Sequence, residues 1–228
     1  MTSEELKTYA LTLSDKAGIA SLEAFDGSLP GQHPLDLLPD CRSVLVFCVK
    51  HLDVFSRSRD KDAQAYSQDL TKHMMMHAAY STSRYIEKQG FKAFPVTGSY
   101  KLYPIRKRED SEGRISLRHA AQAAGIGFIS RIGIILTGEY GPEVQLGAIL
   151  TNAELSADEP LSSDPCIKCN LCIKICPSGA IREPGQGEPY LPVNKDFCLD
   201  YRKENGGSSP LGYTKQCGLC RSVCPVGK

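Results

Sequence analysis

The sequence predicts an α/β (α+β) domain over residues 1–155, followed by a small, loop-rich, cysteine-stapled domain over residues 156–228. Three observations carry this. Apolar β-branched runs alternate with stretches of helical periodicity up to about residue 151. The segment 152–164 is acidic and proline-containing, which marks a boundary. All but two of the 10 cysteines then fall between Cys166 and Cys224.

At 228 residues the chain is one large domain or two small ones. There is no run of about 18 apolar residues, so no membrane span is predicted. Lys+Arg 27 against Asp+Glu 26 leaves a net charge of +1, which gives no global attraction to nucleic acid. The N-terminus, Met1-Thr2-Ser3-Glu4-Glu5, lacks the basic and apolar regions of an export signal, so a cytoplasmic location is expected.

Taken in order, Thr2 and Glu5 form a capping box for a helix whose face carries Leu6, Tyr9, Ala10 and Leu13. Gly18 is expected to stop it. Ile19–Phe25 reads as a short strand and 26–40, with its prolines and glycines, as a loop. Ser43–Lys50 has the pattern of a strand buried on both faces, with Cys48 as a small core side chain. Residues 52–62 are charged. Ala63–Gln89 is the longest helix, capped by Gly90. Its His73 and His77 are spaced i, i+4, but no third ligand stands near, so they read as packed or surface imidazoles. Met74, Met75 and Met76 read as core filling.

Phe91–Val96 reads as another strand and Thr97–Gly113 as a loop. That loop carries a basic patch, 101–108, which is either solvated or set against an anionic ligand. A helix over Arg114–Ala124 ends at Gly125. The turn that follows, Gly125-Ile126-Gly127-Phe128-Ile129-Ser130, follows a helix rather than a strand and lacks a third glycine, which excludes a dinucleotide fingerprint. Its glycines either let the backbone approach a large planar ligand or end the helix and pack tightly. Arg131–Thr137 and Val144–Thr151 read as two strands joined as a hairpin through 138–142.

The cysteines carry the chemistry. Cys166-x2-Cys169-x2-Cys172-x3-Cys176-Pro177 is one run, and Cys217-x2-Cys220-x3-Cys224-Pro225 is a second. In two-cluster ferredoxins the first three cysteines of a run hold one 4Fe–4S cluster and the fourth, before proline, reaches across to the other. The second run lacks its first ligand, since position 214 is Thr214, and Cys198 replaces it. The crossed assignment then closes: Cys166, Cys169, Cys172 and Cys224 hold one cluster, and Cys176, Cys198, Cys217 and Cys220 the other. Zinc sites usually take two ligand pairs with a long gap, and disulfides belong to secreted chains, so both fit the spacing less well. The clusters must staple so loop-rich a domain, and the apo-protein is expected to lose its fold.

Residues 115–155, ISLRHAAQAAGIGFISRIGIILTGEYGPEVQLGAILTNAEL, followed directly by the cysteine runs, resemble the core of the epoxyqueuosine reductase and reductive dehalogenase superfamily. His33-Pro34-Leu35-Asp36-Leu37-Leu38-Pro39 is similar to that group's opening segment. The resemblance implies a nitroreductase-like α/β domain that binds cobalamin, two 4Fe–4S clusters that reduce it, and a small substrate that loses oxygen or halide. It implies cofactor contacts at Gly125, Gly127, Ser130 and Arg131. Asp110 stands near the place of the group's acidic proton donor, with Ser111 aligning about as well; Tyr100, Tyr103 and Arg118 would line the substrate side. The group's tRNA-acting members carry a C-terminal helical-repeat extension, and this chain ends at Lys228, so nucleic acid is an unexpected partner. Reduced ferredoxin or a similar carrier is the expected electron donor. The other class of reading is an electron-transfer protein, with FMN or no cofactor in its α/β domain, that serves a partner or reactivates a corrinoid protein. Stoichiometric bound cobalamin separates the two.

Overall fold

The computed structural model describes residues 1–56, 58–98, 114–183, 185, 192–211 and 215–227. Asp110, Ser111, Tyr100, Tyr103 and the basic patch 101–108 lie outside the described residues. Compactness divides the chain into two interleaved units rather than by a single cut. One comprises residues 1–49, 72–127 and 145–162; the other comprises 50–71, 128–144 and 163–228. Among the described residues, no helix is long and apolar enough to cross a membrane.

The first unit opens with α1 (Ser3–Leu11). The expected capping box is present: Thr2 Oγ1 accepts the Glu5 N–H at 3.2 Å, and the Glu5 carboxylate accepts the Thr2 N–H at 2.7 Å. The helix stops well before Gly18, because the Thr12 and Ser14 hydroxyls take the carbonyls of Tyr9 and Ala10, each at 2.7 Å. Gly18 instead lies inside strand β1 (Lys16–Ala20). A Cβ there would stand 2.1 Å from the Ala124 carbonyl oxygen, so glycine is needed for close approach, not for helix termination. The expected strand over Ile19–Phe25 therefore begins earlier, and Leu22–Phe25 turns as a short 3-10 helix.

Within the expected loop 26–40, α2 (Pro34–Leu37) forms. His33 Nδ1 accepts the Leu35 N–H at 3.2 Å, Asp36 accepts the His33 N–H at 3.0 Å, and Pro34 occupies the first turn. Histidine is an unusual cap, which is why composition read this stretch as loop. β2 (Ser43–Lys50) runs as expected. α3 (Asp53–Ser56) interrupts the charged stretch, and α4 (Lys61–Lys88) ends before Gly90, whose φ is 84°. β3 (Ala93–Thr97) follows, then α5 (Leu117–Ala123), shorter than the predicted helix. The sheet has the order β1-β2-β6-β3, with β6 at Val144–Thr151. β1 pairs antiparallel with β2, placing Ile19 opposite Leu45, and β3 pairs antiparallel with β6, placing Phe94 opposite Leu150.

Leu6, Ile19, Leu45, Phe47, Met75, Ile86 and Ile149 form the core against this sheet. Met75 is the buried methionine of its run; Met74 is 53% exposed and fills no core. Cys48 is fully buried in β2, and burial pushes the Cys41 thiol up to about 11.

The predicted hairpin between 131–137 and 144–151 does not form. β4 (Phe128–Ile129) pairs with β5 (Ile135–Leu136) in a separate ribbon. Gly133, at φ 70°, folds the chain back so that the Ser130 N–H reaches the Ile134 carbonyl at 2.8 Å. The 138–142 connection closes on itself, with Thr137 Oγ1 accepting the Tyr140 N–H at 2.9 Å.

The acidic boundary segment is firmly held. Asp158 accepts from Lys7 Nζ at 2.7 Å and from the Ile19 N–H at 2.8 Å, and its own N–H reaches the Ile19 carbonyl at 2.9 Å. The hydrogen bond that Lys7 donates to the Asp158 carboxylate raises the Lys7 pKa, so the lysine's share of the stability is fully present at neutral pH and is lost as pH rises through that raised value. Asp158→Ala should lower the stability of this unit by about 1–3 kcal/mol, because the Ile19 N–H loses its partner. Asp158→Asn, which keeps an acceptor, should lower it by less. Denaturant midpoints of the two variants check this.

Candidate functional site

The second unit is built on a repeat. In Cys169-Asn170-Leu171-Cys172 and in Cys217-Gly218-Leu219-Cys220, the residue after the first cysteine is left-handed, at φ 59° for Asn170 and 68° for Gly218. Each turn launches a single helical turn, α6 (Leu171–Lys174) and α8 (Leu219–Ser222), and the two pack together. Each then exits through a Cys-Pro pair, Cys176-Pro177 and Cys224-Pro225. Asn170 tolerates the left-handed region because its short amide can bond locally. Here that amide is also clamped: Arg131 Nη1 donates to Asn170 Oδ1 at 2.8 Å. Between the runs, α7 (Lys195–Asn205) carries Cys198, with Asn194 as its cap.

The thiols fall into two neighbourhoods. Cys166, Cys169, Cys172, Cys220 and Cys224 line one cavity, together with Ser130 and Arg131. Burial raises the Cys172 pKa, and charge on Cys166 and Cys169 adds to the effect. In the other group, burial pushes the Cys220 thiol up to about 11; the Arg221 guanidinium opposes this, while Cys217, Cys198 and Cys176 reinforce it. Cys198 is raised by burial, with Arg202 opposing and Cys217 and Cys176 adding. Cys176 differs. Burial works against its thiolate, but the Ser178 hydroxyl and backbone donors at Ile181, Ser178 and Ala180 outweigh it and hold its pKa below the ordinary value. Cys220 thus borders the first cavity while its electrostatic neighbours are the second group. Crowded thiols resist ionisation together, and bound metal cations remove that resistance. Among the described residues, no three His, Cys, Asp or Glu side chains close around a single metal ion.

The other expected site residues separate. Gly125, at φ 67°, ends α5 in the first unit, and a Cβ on it would stand 2.6 Å from the Glu159 carbonyl oxygen. Its lack of a side chain is therefore accounted for by the chain's own backbone. Gly127 is buried in the same unit. Ser130 and Arg131 belong to the cysteine unit. Ser130 is 5% exposed, and its hydroxyl has no hydrogen-bond partner among the described residues. Arg118 is exposed on α5.

Several neighbours of the cysteine runs were not foreseen. The N-terminal half of α4 buries Gln64, Ser67, Gln68 and Thr71, a polar stripe at i, i+3, i+4, i+7 where an apolar one is usual. Gln64 Oε1, Ser67 Oγ and Gln68 Nε2 are buried and find no hydrogen-bond partner among the described residues. His51, 1% exposed, joins Thr71 to Arg221. The stripe's inverted polarity was the one signal in the sequence; the pairing of His51 with Arg221, 170 residues apart, left none.

The family of 4Fe-4S double cluster binding domains matches residues 165–227, so the second unit's tail is a two-cluster domain. Epoxyqueuosine reductase of Bacillus subtilis (strain 168) is 27% identical over 256 residues, covering 99% of this chain and 63% of its own length. The chain therefore spans less than two thirds of that relative. An epoxyqueuosine reductase solved with an epoxyqueuosine-modified tRNA-Tyr stem loop superposes with a TM-score of 0.68 at 22% identity, over 98% of this chain and 64% of that one. A reductive dehalogenase structure described for B12-dependent dehalogenation gives 0.75 at 19% identity, over 99% of this chain and 31% of that one. These neighbours share the mixed α/β fold. That neighbour was solved with a tRNA stem loop, which stands against the expectation that set nucleic acid aside.

Proposed function

The chain belongs to the superfamily of epoxyqueuosine reductases and reductive dehalogenases, and from that premise we propose that it is an iron–sulfur oxidoreductase acting as a corrinoid-dependent reductase. In this reading residues 1–155 form a nitroreductase-like domain and 156–228 the two-cluster domain. Cys166, Cys169, Cys172 and Cys224 hold one 4Fe–4S cluster, and Cys176, Cys198, Cys217 and Cys220 the other. The observation that carries this is that the distant Cys224 shares a cavity with Cys166, Cys169 and Cys172, while Cys176 acts electrostatically on Cys198 and Cys220.

The buried, unpartnered Ser67 Oγ, Gln68 Nε2 and Ser130 Oγ fit the corrinoid, because both donors and acceptors are left over for an amide-rich ligand. A bound corrinoid supplies a strongly nucleophilic metal centre once reduced. The chain's own part is to hold the ring through those atoms, to set the cluster potentials through charge and hydrogen bonds, and to exclude water. Asp110 is the proposed general acid. The substrate is a small molecule or, as the stem-loop relative suggests, a modified nucleoside within RNA. A second reading, an electron-transfer protein with FMN or no cofactor in its α/β part, draws support from Gly125, whose conformation is explained without a ligand.

Anaerobic purification with cobalamin supplied tests these readings by counting metals and flavin per chain. About eight irons are expected from two clusters, with about one cobalt that changes its spectrum on reduction. Iron without cobalt would move the assignment to the electron-transfer protein.

A further inference from the structure

We propose that His51 is a positioning residue for the cluster held by Cys176, Cys198, Cys217 and Cys220: it locks the Arg221 guanidinium beside that cluster and so raises its reduction potential. The inference rests on the two-cluster reading above and goes beyond it by naming the device that makes the two clusters unequal.

The hydrogen bonds fix the state of the imidazole. Thr71 Oγ1 donates to the Ser67 carbonyl at 2.8 Å, the back-bond a helical threonine makes to the preceding turn. Its proton is committed there, so its oxygen accepts from His51 Nδ1–H at 2.9 Å. Arginine has only donors. His51 Nε2, 3.2 Å from Arg221 Nη1, must therefore present its lone pair. Both contacts demand the same neutral tautomer. The ring is also held from its backbone, since the His51 N–H donates to the Glu143 carbonyl at 2.9 Å. A buried chain thus runs from Ser67 through Thr71 and His51 to Arg221, the residue that follows Cys220.

Among the described residues, three cations act on this group, and Arg221 is one of them. Lys61 acts on Cys217 and is held by the Tyr201 hydroxyl and the Asn205 carbonyl, both at 3.0 Å. Arg202 acts on Cys198 and donates to the Lys215 carbonyl at 3.0 Å. Among the described residues, Arg221 is the one of the three held by a buried side chain. At the other thiol group, the one arginine along the cavity, Arg131, donates instead to the Asn170 amide. Reduction adds one electron and no proton to a cluster, and a fixed cation close by stabilises that added charge. A freed arginine would extend into solvent, where water screens it.

The test is a potentiometric titration of the reconstituted full chain, followed by low-temperature EPR, with iron counted in every sample. His51→Ala should cut the reduced-to-oxidised ratio of one cluster about tenfold at fixed ambient potential, which is about 59 mV for one electron. The other cluster should stay in place. Arg221→Met should move the same cluster, and adding His51→Ala to it should move that cluster no further. His51→Gln, which can offer an acceptor where Nε2 stood, should restore most of the potential; His51→Asn, which replaces only the Nδ1 side, should not. If His51→Ala loses iron, the Gln and Asn variants carry the comparison. Unchanged potentials at full iron content, equal movement of both clusters, or an undiminished effect of His51→Ala on the Arg221→Met background would overturn the proposal. Iron well below about eight in the unaltered chain would instead overturn the two-cluster reading on which it rests.

Discussion

Cys224→Ala should lower the iron content from about eight per chain to about four, and Cys198→Ala should do the same at the other cluster. On the proposed assignment each removes one thiolate of four, and the remaining three would leave an iron open to solvent and oxidant. The structural consequence should be as large as the chemical one. Among the described residues of 163–227, Ala180 and Ile181 are the only buried apolar side chains, while Ile167 and Phe197 stand 65% and 55% exposed. A region with so little core draws its stability from metal–thiolate bonds. Full removal of iron by an anaerobic chelator should therefore unfold this region while the sheet, whose core includes Leu45, Phe47 and Ile149, persists. Far-UV circular dichroism and limited proteolysis of the holo- and apo-chains check it. An apo-chain as resistant to protease beyond residue 163 as the holo-chain would refute the account. So would an iron count unchanged by Cys224→Ala.

Gly141→Ala should be nearly as damaging, although residue 141 is no ligand. Gly141 sits at φ 56°, and a Cβ on it would stand 2.0 Å from the Val226 carbonyl oxygen and 2.9 Å from its carbon. Gly227, at φ 77°, returns the contact, with its own missing Cβ 2.1 Å from the Gly141 nitrogen. Backbone meets backbone here, so no side chain can rotate away. The left-handed conformation alone costs a non-glycine residue about 1–2 kcal/mol. Relief of the clash must move Val226 as well, and Val226 is two residues from Cys224. The expected result is a loss of about 2 kcal/mol or more, with reduced occupancy of the cluster proposed to take Cys224 as a ligand. Gly138→Ala is the control: nothing stands within 4 Å of a Cβ at that position, and iron content and stability should hardly change. Iron retention in Gly141→Ala equal to that of Gly138→Ala would show that the contact does not support the cluster.

The Tyr140-Gly141-Pro142 turn illustrates the limits of reading this chain in order. It was expected to join a hairpin. In the structure it closes on Thr137 and receives the C-terminal backbone, and β6 pairs with β3 instead. Gly18 is the same kind of case: its local pattern is that of a helix stop, yet its actual constraint is Ala124, over a hundred positions away in sequence. His33 capping α2 was missed for a simpler reason, that histidine seldom takes that role.

By itself the sequence determined whatever depends on neighbours in the chain. The capping box of α1, the buried strand β2, the extent of α4 and the cysteine spacing of a two-cluster domain are all short-range patterns, in which each residue's partner lies within a few positions. Only the tertiary structure decided what depends on long loop closures. It put Cys224 in the cavity of Cys166, Cys169 and Cys172, aimed the polar stripe of α4 inward, and set His51 against Arg221. Such meetings are fixed by the packing of whole elements, and a local pattern of residues carries no trace of which distant backbone or side chain will arrive there.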